Sequence, residues 1–312
     1  MIDRLGRLAE RARTALEGDI LPFWLKLEDR VHGGHFAAMD RAGRIDAAAP
    51  KTTVFVARIL WTLSEAHRVL GIPECLTQAG RTKRFLIDRL ADPRDGGLWW
   101  SASHDGRPGE TDKHVYAQAF GIYGLAAHAS ATGDGESLGA AQRLFHLIED
   151  RARDGRTGSY GEAFDADWHP RENRRLTAGG LVGERTANTH LHLIEAYTGL
   201  IAAWPDPAAC AALSALLSLF VARFVSVGAG HTYALLDAAL RPLPGPVSFG
   251  HDIEASWLMV AAARAIEDEG LAVQVGQAAN RLARSAAAAG QASDGGWILE
   301  RRADGTVDTG RV

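Results

Sequence analysis

Four stretches of this 312-residue chain place polar side chains where an otherwise apolar helix begins. In "SFGHDIEASWLMVAAA", His251 and Glu254 lie one turn apart, with Leu258 a further turn along the same face. In "ANTHLHLIEAYTGL", Asn188, His192 and Glu195 share a face at steps of four and three. "KTTVFVARILW" does the same with Lys51, Val54 and Arg58, and "DKHVYAQAFGIYGLA" with Lys113, Tyr116 and Phe120. An imidazole gives and takes a proton near neutrality and a carboxylate one turn away can orient it, so two His/Glu pairs suit proton transfer. Two carboxylates across a cleft suit glycoside cleavage instead, from Glu195 with Glu254 or from Asp165 with Asp167. A single buried His or Arg would as readily be a paired structural group. Four helices offering such groups at matched depth point to a site.

Other chemistries lack their residues. His190 and His192 are two apart on a helix, roughly 200° round its axis, so they do not chelate one ion. The His251 cluster has no further ligand at metal spacing, and the loops GxxxxGK[ST] and GxGxxG are absent. A net charge of -4 argues against nucleic acid or an anionic membrane as partner. Cys75 and Cys210 form neither a disulfide framework nor a metal pair, which suits a reducing cytoplasm. The N-terminus has no apolar h-region, and "AACAALSALLSLFVARFV", interrupted by Ser214, Ser218 and Arg223, reads as a buried helix rather than a membrane span. Trp99, Trp100 and Trp168 suit sugar stacking and loop packing equally; Trp61, Trp204 and Trp257 read as helical core.

The elements that must position these residues repeat. Glycine-led phrases start at Gly33, Gly96, Gly158, Gly230 and Gly295, in steps of 63, 62, 72 and 65 residues. Each sets aromatic or β-branched residues before an acidic, turn-rich tail, the composition of a short β-hairpin. Two helices fit each interval, broken at "GIP", "ATGDG" and "PDP", so nine helices are expected with the first. Helical hairpins of this length, stacked with their loops on one side, predict an all-α fold: a ring of inner and outer helices, or a straight solenoid. No linker interrupts the pattern, so a single domain over 1–312 is expected. The last phrase, "GGWILERRADGTVDTGRV", has no helix after it, and the ring is expected to lack its final helices.

Together, "KTTVFVARILW", "DKHVYAQAFGIYGLA", "ANTHLHLIEAYTGL" and "FGHDIEASWL" resemble the N-acylglucosamine 2-epimerase superfamily, and within it the cellobiose 2-epimerases. The resemblance implies an (α/α)6 barrel of twelve helices, with a second catalytic histidine that does not occur before Val312. It implies epimerisation at C2 of a reducing-end sugar, with His251 as one acid/base, Arg58 beside the carbonyl oxygen, Glu254 orienting His251, and His192 assisting ring opening. Tyr116, Asn188, Glu195 and Trp257 become substrate-binding candidates. A carbohydrate is the expected partner, with no cofactor, no metal, and a monomer or homodimer. Mannose isomerase, N-acylglucosamine 2-epimerase, an (α/α)6 glycoside hydrolase and a non-catalytic sugar-binding fragment are the alternatives.

Overall fold

In the computed structural model, residues 2–171, 184–226 and 228–308 are described. Among them, helices and hairpins alternate as the glycine phrases predict. α1 (Ile2–Ala15) runs through a π-helical turn (Leu16–Ile20) into α2 (Leu21–Lys26). Four helical hairpins follow: α3 (Thr53–Leu70) with α4 (Pro73–Phe85), α5 (Val115–Thr132) with α6 (Gly135–Arg151), α7 (Ala187–Ala203) with α8 (Pro207–Leu219), and α9 (Phe249–Ile266) with α10 (Glu269–Ala289). α4 and α8 also end in π turns, at Leu86–Leu90 and Phe220–Phe224. Counting each π turn with its helix gives the nine expected spans. The breaks have local causes: Gly71 closes α3 in the left-handed conformation, while Asp134, Asp206 and Asp268 accept main-chain N–H groups at the starts of α6, α8 and α10.

α3 packs on α5, α5 on α7 and α7 on α9, each backed by the outer helix that follows it. The inner α5 is buried on nearly every side, whereas the outer α6 and α10 bury one stripe, as their positions require. At Gly124 the backbones of α5 and α3 approach so closely that a Cβ would stand 2.6 Å from the Ala57 carbonyl oxygen. The stretch Pro207–Phe224 is long and apolar enough to cross a membrane. Here it is an outer helix whose buried stripe, Leu213, Leu216, Leu217 and Phe220 among it, faces α7 and α9; the expected burial applies to one face only.

Two-residue strands tie each repeat to the next. β1 (Lys51–Thr52), which enters α3, pairs with β2 (Ser101–Ala102), and β3 (Lys113–His114), which enters α5, pairs with β4 (Ala163–Phe164). β5 (Arg185–Thr186) pairs with β8 (Leu235–Leu236), and β6 (Val225–Ser226) with β7 (His231–Thr232). β9 (Val247–Ser248) pairs with β10 (Glu300–Arg301), itself paired with β11 (Val307–Asp308), so the last hairpin is held in place.

Beside three of these ladders, the first main-chain N–H of an inner helix is taken by the next hairpin: Thr53 donates to the Trp100 carbonyl (2.9 Å), Val115 to Glu162 (3.0 Å) and Ala187 to Ala234 (3.0 Å). The fourth residue of the inner helix then pins its own hairpin. Gln118 bonds both the N–H and the carbonyl of Leu98 at 2.7 Å, and Asp252 accepts from the N–H (2.8 Å) and hydroxyl (2.7 Å) of Thr232. His190 donates Nδ1–H to the Thr186 carbonyl (2.8 Å) and accepts at Nε2 from the Tyr160 N–H (3.1 Å). It is therefore the neighbour-bonding histidine of the "HLH" pair.

Two residues read as facing the ligand do something else. The Lys51 ammonium donates to Asp29 (2.7 Å) and the Lys113 ammonium to Asp92 (2.7 Å), and both lysines are buried. Arg185 repeats the motif with Asp154 at 3.2 Å. Each acid also accepts main-chain N–H groups in its turn, so the latch fixes the hairpin rather than the ligand. Trp168 is likewise a packing residue: buried, it donates to the Asp95 carbonyl (3.2 Å) and lies where a Cβ on Gly97 would come within 2.7 Å of its ring. That close approach, with φ at +81°, requires glycine at 97.

Replacing Lys113 by Met leaves the Asp92 carboxylate buried without its cation, and urea unfolding should show a loss of about 3–5 kcal/mol. Lys113→Met/Asp92→Asn should recover more than half; an equal loss in both would reject the latch. His190 gives a pH test. Burial holds its pKa at about 4, against an ordinary 6.5, with the Thr186 bond opposing and Arg185 assisting. The unfolded chain therefore takes up a proton below pH 6.5 that the folded one refuses until about pH 4. Stability should fall across that window by about 3 kcal/mol from this residue, with His35, also held near 4, adding to it. His190→Gln should be less stable at pH 7 yet lose less between pH 6.5 and 4.

Candidate active site

The four inner helices can be compared position by position from their first residues. The second, sixth and ninth residues are Val54, Arg58 and Trp61 on α3, and Tyr116, Phe120 and Tyr123 on α5. They are Asn188, His192 and Glu195 on α7, and Gly250, Glu254 and Trp257 on α9. Gly250 leaves its own position open, with no atom within 4 Å of where a Cβ would stand, beside His251.

Phe120 is the centre of the group. Its ring has the Arg58 guanidinium at 5.3 Å, the His192 ring at 4.8 Å, the Tyr116 ring at 5.0 Å and the Tyr123 ring at 6.0 Å. Tyr116 meets His192 edge to face at 5.2 Å, and Trp61 stacks on Tyr123 at 5.0 Å. His192, almost fully buried, has Nδ1 2.8 Å from a Glu195 oxygen. A carboxylate accepts, so Nδ1 carries the hydrogen of this bond.

Electrostatics tie α9 into the same space. Burial pushes the Tyr116 hydroxyl above its ordinary pKa; Arg58 and a hydrogen bond with Asn188 pull it down, and Glu254 and Glu195 push it up. One phenol thus feels groups from α3, α7 and α9, which a straight solenoid would not bring together. Burial lowers the His251 pKa, Glu254 opposes that, and His192 adds to it. His251 and Arg58 are nevertheless both exposed, the protein around His251 still desolvating its imidazole.

Arg58, Tyr116, Asn188, His192, Glu195, His251 and Glu254 are therefore gathered in one cup. Trp257 is not core: it is 56% exposed and lines a shallow groove with Val260, Arg264 and Asn280 between α9 and α10. Leu258 is buried in the core, and Asp252, next to His251 in sequence, is a hairpin pin. Trp61 is half-buried against Tyr123, and Trp204 lies just past α7 with its ring 6.0 Å from Phe145. Tyr123 and Trp61 join the cup unpredicted, although each stands three residues beyond a residue already on its face, the spacing that picked out Glu195.

Asp165, Asp167 and His169 are the one group of three potential metal ligands among the described residues. They stand in an exposed hairpin turn, where Asp165 accepts the N–H groups of Asp167 and His169 and Asp167 pairs with Arg94. The carboxylate pair Asp165/Asp167 thus serves a turn away from the cup.

The model for the N-acylglucosamine 2-epimerase (GlcNAc 2-epimerase) family matches residues 34–311. The cellobiose 2-epimerase of Bacteroides fragilis is 38% identical over 295 residues, covering 94% of this chain and 75% of that protein. That of Dictyoglomus turgidum is 33% identical over 297 residues, with 95% and 75% covered. The solved cellobiose 2-epimerase from Bacillus thermoamylovorans superposes with a TM-score of 0.92 at 32% identity, over 97% of this chain and 78% of that one.

Proposed function

Because this chain belongs to the N-acylglucosamine 2-epimerase family, we propose that it inverts C2 of the reducing-end glucose of a β-1,4-linked disaccharide such as cellobiose, giving mannose at that end. The observation that carries the reading is the convergence on one aromatic ring: Phe120 has the Arg58 guanidinium 5.3 Å and the His192 ring 4.8 Å from its centre, and the charges of Glu254 and His192 act on Tyr116 and His251 respectively.

Inversion needs an open-chain aldehyde, loss of the C2 proton to a base, and return of a proton to C2 from the opposite face. His251 takes the proton on one face, burial having lowered its pKa so that the imidazole is neutral at pH 7, and the proton that returns on the opposite face is the task of the second histidine that the family resemblance implies. The electron pair left behind spreads over C1 and C2 and onto the oxygens as a cis-enediolate. The Arg58 guanidinium stabilises that charge, a role in which one donor is worth roughly 10²–10³ in rate. Glu254 steadies His251 as it becomes cationic. His192, with Nδ1–H held by Glu195, takes the O1 proton at Nε2 and passes it to the ring oxygen as the C1–O5 bond breaks. Tyr116 and Asn188 bind hydroxyl groups, and Trp257 offers an exposed face for a sugar ring. Cys75 and Cys210 are both free thiols, which suits a reducing cytoplasm.

His251→Asn should fold normally and lower both kcat for epimerisation and exchange of the C2 hydrogen of cellobiose into deuterated water by about 10³-fold. Undiminished exchange would remove His251 from the chemistry. Product analysis separates the rivals: glucosyl-mannose with its glycosidic bond intact supports epimerisation, a ketose points to isomerisation, and free glucose to hydrolysis.

A further inference from the structure

Glu162 lies in the third hairpin and is buried, yet among the described residues no lysine or arginine bonds its carboxylate. Three donors do: the Thr186 N–H at 2.6 Å, the Thr186 hydroxyl at 3.1 Å and the Thr189 hydroxyl at 2.6 Å. All belong to the start of α7, where Thr186 is the N-cap and also accepts the Thr189 N–H at 3.1 Å. The carbonyl of the same Glu162 accepts the first N–H of α5. One residue thus joins the first turns of two inner helices, the turns that carry Tyr116 and Asn188, with His192 one turn further along α7.

The repeat supplies an internal control. Trp100 and Ala234 occupy the equivalent place in the neighbouring hairpins, and their carbonyls make the same bond to the preceding inner helix without any carboxylate. The main-chain tie therefore does not need the acid. What the carboxylate adds is a three-point clamp on α7. Dry surroundings make it stiff: burial pushes the Glu162 pKa up to about 7 against the pull of Thr189, Thr186 and Arg185, and the Arg185 guanidinium is itself committed to Asp154 and Ser159.

We propose that Glu162 is a positioning residue for the sugar site, holding the first turn of α7 so that Asn188 and His192 face Tyr116 across the α5–α7 interface. The consequence for catalysis rests on the proposed epimerase function. The placement of His192 and the binding of sugar do not depend on turnover.

The test uses the full chain with Glu162→Gln, which keeps the shape but sets an amide N–H₂ against three donors. Three readouts are taken: thermal unfolding, affinity for cellobiitol (the reduced, unreactive analogue of cellobiose), and the NMR signal of the His192 imidazole, identified by its loss in His192→Asn. The expected result is a folded protein with cellobiitol affinity about tenfold lower and the His192 signal displaced, while the His251 signal stays. Thr189→Val removes one arm of the clamp and should give a smaller change in the same direction. The double variant should bind no more weakly than Glu162→Gln alone, because both changes break one unit. An unchanged His192 signal with unchanged affinity in a folded Glu162→Gln protein overturns the proposal. If that variant does not fold, Thr189→Val decides on the same readouts. Failure of the wild-type protein to exchange the C2 hydrogen would reject the epimerase reading while the His192 signal still judged the clamp.

Discussion

An α-helix cannot satisfy its own first N–H groups, and when its start is buried something else must. In this fold the next hairpin does so, through the carbonyls of Trp100, Glu162 and Ala234. The bond sets the level at which each inner helix begins relative to its neighbour, and the two-residue ladders beside it set the sideways spacing. Four helices of nearly equal length then run in step. The contacts of Phe120 with Arg58, Tyr116, Tyr123 and His192 follow from that common start, not from attraction between those side chains.

Holding helix starts in a dry layer makes every polar group there expensive unless paired. The chain answers with two sets of buried polar residues that look alike in sequence and differ in duty. Lys51, Lys113 and Arg185 neutralise an aspartate in the hairpin turn; Gln118, His190 and Asp252 bond the hairpin main chain. Both sets rigidify the scaffold and leave the cup residues free of structural work. In "HDIE" the division falls within four residues, with Asp252 spent on Thr232 while His251 feels the charges of Glu254 and His192.

That division is also where the sequence stops being legible. The repeat, the helices, the hairpins and the grouping of Arg58, Tyr116, Asn188, His192, Glu195, His251 and Glu254 follow from spacing, because helical periodicity is local. Whether a polar residue at a helix start turns toward the cup or the hairpin is decided by a partner about 20 to 30 residues away, as Asp29 is for Lys51 and Tyr160 for His190. Lys51 and Lys113 are misjudged for that reason. Glu162 escapes notice because it lies in a loop phrase, and its threonine partners look like ordinary capping residues. The exposure of Trp257 depends on what packs against α9, which periodicity does not encode.

Charge balance in the cup fits a proton moving from carbon to imidazole. The charge-bearing groups here are Arg58, Glu195 and Glu254, beside a His251 whose pKa burial lowers. A carbanion formed here would face two carboxylates and be repelled if nothing else changed. In the proposed reaction the proton that leaves C2 changes it, because it would make His251 a cation whose charge Glu254 opposes. Glu195 is already engaged with His192. The new negative charge on the sugar oxygens is then left facing Arg58, across a floor of Phe120 and Tyr116 that contributes little screening. Each charge that appears in the step finds an opposite one already in place, so the site need not reorganise as the enediolate forms.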